Sequence, residues 1–135
     1  MMKFANVMNT EYDKSNEMNS GSRYLPAIVE RLKALQPEKI ILFGSYAYGK
    51  PDRDSDIDLI VVTSDNFMPQ NYKEKSAIYL KVSHVLDDIK KVLPIDLIVY
   101  TAPMYRKFLE LGSMFSKEIL QKGVVLYESN RERMA

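Results

Sequence analysis

Three aspartates stand where an acid is hardest to place. Asp56 and Asp58 flank Ile57 at the head of the aliphatic run Ile57 to Val62, and Asp96 lies between Ile95 and Leu97 in a second such run. Side chains alternate across a strand, so Asp56 and Asp58, at i and i+2, point to the same side about 7 Å apart along it. Two unpaired carboxylates held that close repel each other and raise one pKa. A hard divalent cation such as Mg²⁺ is the economical remedy, because it takes oxygen ligands and completes its shell with water and substrate phosphates. The ordinary alternative is an Asp that caps a turn or marks the start of a strand. That alternative is as good for Asp56 taken alone. It is weaker for Asp58, flanked by Ile57 and Leu59, since a buried charge without a partner costs on the order of several kcal/mol. Asp96 could reach the same cluster from a neighbouring strand. Two metals about 3.5 to 4 Å apart can then activate an attacking hydroxyl and steady the leaving oxygens of an in-line displacement at phosphorus.

Twelve residues before Asp56, Gly44 and Ser45 end another aliphatic run, Ile40 to Phe43. A missing side chain lets a ligand approach the backbone, and if Ser45 to Tyr48 open a helix, its free N–H groups and positive dipole end make an anion site. Gly-Ser at a strand end is also a common turn. The informative feature is a phosphate cradle and a cation site on adjoining strands.

These residues need elements to position them. Leu25, Ile28, Val29, Leu32 and Leu35 recur at helical spacing until Pro37 stops the helix. Ile57 to Val62 is apolar on both faces apart from Asp58, as expected of a central strand covered on both sides. After a polar loop over 63–70, Ile78, Val82, Val85, Leu86, Ile89 and Leu93 trace one face of a long helix that Pro94 closes. The third strand follows in "PIDLIVYT", then a helix from Met104 to Leu111, a short amphipathic segment ended by Gly123, and a last strand in "VVLYE". The expected organisation is a flexible leader over 1–22, one domain over 23–128 and a frayed tail over 129–135. The pattern implies an α/β (α+β) domain built on a mixed sheet of about four strands.

The totals narrow the function classes. With 135 residues the chain holds one core and is too short for two ordinary domains. Nineteen Lys and Arg against 18 Asp and Glu leave no blanket attraction to nucleic acid or membrane, so strong nucleic-acid binding is not expected. The absence of cysteine excludes thiolate nucleophiles and Cys-based metal sites. No signal-length apolar core and no run of 18 apolar residues occur, which points to a cytoplasmic protein with no membrane association.

Taken together, "GSYAYGKPDRDSDIDL" and the later Asp resemble the minimal nucleotidyltransferases of the polymerase beta-like superfamily, of the MntA-like antitoxin type. The pattern is Gly-Ser, ten residues, Asp-x-Asp, then a third Asp on a later strand, and the likeness runs from about Leu25 to Glu128. The resemblance implies a mixed sheet with helices mainly on one face, two Mg²⁺ ions, and ATP or another nucleoside triphosphate as substrate. It implies transfer of a nucleoside monophosphate to an acceptor hydroxyl. Asp56 and Asp58 would hold both metals, and Asp96 would bind one and help deprotonate the acceptor. Gly44, Ser45, Tyr48 and Ser55 would form the nucleotide-binding set. Many such domains are similar to antitoxins that adenylylate a tyrosine of a HEPN-type toxin, so a HEPN-type partner is expected. An alternative is a catalytically weak module that neutralises a partner by occlusion. The family often carries arginine where this chain has Tyr48, and Lys50 or Arg53 could supply that charge. Small-molecule transferases of this superfamily need an extra helical domain for which this chain leaves no room, although a homodimer could supply missing walls.

Other residues have plainer roles. His84, the sole histidine, falls off the apolar face of its helix and reads as solvated. Tyr46 or Tyr48 could stack on a base. Met104, Met114 and Phe115 could belong to a partner interface.

Overall fold

The computed structural model describes residues 20–52 and 54–129. The leader over 1–22 falls outside them except for its last three residues, and the tail except for Ser129. A 3₁₀ turn over Ser20–Tyr24 leads in, with Ser22 buried. The regular elements are α1 (Leu25–Lys33), β1 (Lys39–Phe43), β2 (Ile57–Val62), α2 (Tyr72–His84), α3 (Asp87–Lys90), β3 (Ile95–Tyr100), α4 (Ala102–Leu111), α5 (Met114–Lys122) and β4 (Val124–Glu128).

The four strands form one mixed sheet in the order β3-β2-β1-β4. β1 pairs antiparallel with β2 and β4, while β2 and β3 run parallel. A parallel neighbour needs a crossover, which α2 and α3 supply. β2 is central, as its two-sided apolar run requires, and five of its six residues are buried.

Alternation along the strands sends apolar side chains to two cores. Ile40, Leu42, Ile57, Leu59 and Val61 pack with Leu25, Ile28, Val29 and Leu32 of α1, Val82 of α2 and Ile89 of α3. Ile41, Ile60 and Val62 pack on the other face with Tyr105 of α4 and Ile119 of α5. Helices therefore cover both faces, with the larger core under α1, α2 and α3 and the smaller under α4 and α5. The reason lies in β2, whose residues are apolar on each side and need burial on each.

The expected long helix is divided. α2 starts at Tyr72, where Asn71 accepts from the backbone N–H of Glu74, and ends at His84; α3 resumes at Asp87. The break keeps Leu86 and Ile89 in the first core. α4 opens on a Thr101 cap and closes at Gly112, in the left-handed region at φ +62°.

Candidate active site

Asp58 is the second residue of β2, facing Phe43 on antiparallel β1 and Asp96 on parallel β3. Residues paired across strands share a face, and neighbouring strands lie about 4.8 Å apart, so Asp58 and Asp96 stand side by side. Asp56 lies just before β2 rather than within it and is exposed, as is Asp96; Asp58 is half-buried. The Asp58 carboxyl is pushed up to about 6, first by burial and then by the charges of Asp96 and Asp56. The fold has thus brought three acids into electrostatic reach of one another from two places 38 residues apart in sequence.

Gly44 forms the opposite wall. It sits at φ +75°, and a Cβ built there would lie 2.0 Å from Oδ2 of Asp58. Only glycine tolerates both the backbone conformation and the contact. The turn that follows is shaped by two bonds to the Gly44 carbonyl, from the N–H groups of Ala47 and Tyr48, each 3.0 Å, and by Lys50 N–H donating to the Ser45 carbonyl. It is a tight turn rather than the opening of an α-helix, so a helix dipole contributes nothing here.

The remaining expected residues separate. Ser45 lies at the turn beside Gly44. The Ser55 hydroxyl accepts from the Asp52 N–H at 2.9 Å and donates to Asp52 Oδ1 at 3.2 Å, closing the loop before β2. Tyr46 packs against the first core, its hydroxyl raised in pKa by burial and by the charges of Asp52 and Asp56. Tyr48 stays at the site: its hydroxyl donates to Glu118 of α5, and Lys122 of α5 lies 5.5 Å from its ring centroid. Burial raises the Tyr48 pKa first, then Glu118, with Asp58 contributing. His84 is exposed beside Asp87 Oδ2 at 3.1 Å, away from this cluster. Sequence reasoning missed Glu118 and Lys122, since nothing local in α5 marks a link to a turn 70 residues earlier.

The donor set suits a hard cation: three carboxylates, all oxygen, beside a turn with no side chain in the way. Among the described residues no three acids are gathered onto one point as the side chains stand. The two observations are compatible, because Coulomb repulsion acts over longer distances than a coordination shell spans and holds bare carboxylates apart. Asp56 and Asp96 are both exposed.

The parallel β2–β3 pair thus carries acids at the head of each strand, beside a Gly-Ser turn at the end of β1. The chain belongs to the polymerase beta nucleotidyltransferase family, which matches residues 27–132. It is a nucleotidyltransferase. A protein of Methanocaldococcus jannaschii, provisionally named a protein adenylyltransferase, is 28% identical over 117 residues, covering 83% of this chain and 99% of that one. A solved Sulfolobus solfataricus structure, provisionally described as a nucleotidyltransferase, shares the fold with a TM-score of 0.50 and 20% identity over 78% of each chain. A toxin-antitoxin structure with AMP-PNP is also similar, at TM-score 0.47 and 23% identity, over 81% of this chain and 77% of that one.

Proposed function

We propose that the protein transfers a nucleoside monophosphate, AMP from ATP, onto a hydroxyl of a partner protein, and that the partner is a HEPN-type toxin which this transfer neutralises. The observation that carries the reading is Asp58, flanked electrostatically by Asp56 and Asp96 and lying against Gly44. Asp56, Asp58 and Asp96 would hold Mg²⁺, which supplies charge neutralisation for the phosphates and a more acidic acceptor hydroxyl. The Gly44–Ser45 turn receives the triphosphate tail at its backbone. Asp96, exposed at the edge strand, takes the proton from the acceptor hydroxyl as that oxygen bonds to the α-phosphorus and pyrophosphate leaves. The likeness to a protein named as a protein adenylyltransferase, across nearly all of that protein's length, supports a protein acceptor over a small one.

The test is incubation with labelled ATP, Mg²⁺ and the candidate partner, read by intact mass. One or more adenylates should appear on the partner, and Asp58→Asn should abolish them while the fold persists. Transfer that survives in the Asp56→Asn, Asp58→Asn double variant defeats the proposal. Neutralisation without any transfer would favour occlusion, a reading supported by the exposed Leu111 and Met114 at the junction of α4 and α5.

A further inference from the structure

A tyrosine stands at position 48 of the Gly-Ser turn, and a cation beside its ring comes from α5. We infer that Lys122, the last residue of α5, is the positioning residue that receives the triphosphate tail, and that Glu118, one helical turn earlier, opposes it. This deepens the nucleotidyltransferase reading and rests on it.

Asp58 touches the space above Gly44, where a Cβ would meet its Oδ2. The Tyr48 backbone N–H is bonded to the Gly44 carbonyl at 3.0 Å, and its hydroxyl donates to Glu118, so the residue ties the turn to α5. Lys122 lies 5.5 Å from that ring's centroid. Its ammonium is therefore beside the side chain of a residue of the Gly44–Gly49 turn, held there by cation–π attraction. The aromatic contacts of Phe43 with Phe115 (5.5 Å) and of Phe115 with Phe108 (5.6 Å) pin α5 against the end of β1 that carries Gly44. Glu118 and Lys122 are four residues apart on one helix face and present opposite charges to the same place. The Glu118 carboxylate accepts from the Tyr48 phenol. A polyanion entering the turn meets Lys122 favourably and Glu118 unfavourably. The cation that the sequence places in the loop thus has a counterpart contributed from the far end of the chain.

The experiment is calorimetric titration of ATP and, separately, AMP into the full chain in Mg²⁺ buffer. Lys122→Gln should weaken ATP about tenfold, as expected for one charge-assisted contact, and leave AMP within about twofold. Lys122→Arg should restore ATP binding, and Glu118→Gln should tighten ATP but not AMP. Equal loss of ATP and AMP affinity in Lys122→Gln would mean that Lys122 only packs α5, and the inference fails. Unchanged ATP affinity, or a tail-selective loss found in Lys50→Gln instead, overturns it as well. A wild-type chain that binds neither nucleotide sinks the underlying nucleotidyltransferase reading, an outcome distinct from any pattern among the variants.

Discussion

Asp58 is held at odds with its own charge. In the unfolded chain its carboxyl ionises near 3.8, whereas in the fold burial and the charges of Asp96 and Asp56 move that to about 6. Between those values the folded state binds more protons than the unfolded one, so stability falls as pH rises through that window. The metal-free protein should melt at a lower temperature at neutral pH than near pH 5, beyond any drift shared with Asp58→Asn. The variant should show a flatter profile and melt higher than wild type at neutral pH, as followed by circular dichroism. Coincident profiles would mean that the acids do not sense one another. Such a conflict between stability and charge is what the proposed role of Asp58 in chemistry predicts.

The β1–β2 connection has to turn sharply and still leave its backbone open. Gly44 makes this possible through its left-handed φ and its absent side chain. Gly44→Ala combines strain at positive φ with a steric conflict against Asp58, and each such defect costs about 1 to 3 kcal/mol. Urea denaturation should report a loss of that order, and Asp58→Asn should not relieve it, because an asparagine fills the same space. A Gly44→Ala protein as stable as wild type would show that the turn has another conformation available. α5 is the other element that completes the site. Its packing through Phe115 sets Glu118 and Lys122 beside Tyr48, although its own sequence reads only as a short amphipathic segment.

At the scale of the molecule, one sheet separates two cores. Leu59 points into the larger, Ile60 into the smaller, and both are fully buried on adjacent positions of β2. Because the same strand is the floor of each core, Leu59→Ala and Ile60→Ala should each lower a single shared transition, by about 2 to 5 kcal/mol. Far-ultraviolet circular dichroism and tyrosine fluorescence should coincide in both variants. Separate transitions in Ile60→Ala would mean that α4 and α5 fold independently of the sheet. The sheet also explains the polarity of the site: the acids sit at the starts of parallel β2 and β3 and the turn at the end of antiparallel β1, so all open toward the same edge.

Local patterns determined a good deal by themselves. The period of α1, the two-sided apolar run of β2 and the prolines at 37 and 94 specified where elements begin and end, because those signals act over a few residues. The Gly-Ser and Asp-x-Asp spacing was legible for the same reason, since β1 and β2 are consecutive antiparallel neighbours and their connection brings the turn to the head of β2. Tertiary structure alone decided the rest. It placed Asp96 in register with Asp58, tied the Ser55 hydroxyl into its loop, kept Ser45–Gly49 from becoming a helix, and laid α5 across the turn so that Glu118 and Lys122 reach Tyr48. Those outcomes depend on strand order and on which face each helix covers. Both are set by burial summed over the whole chain, which no short stretch of sequence contains.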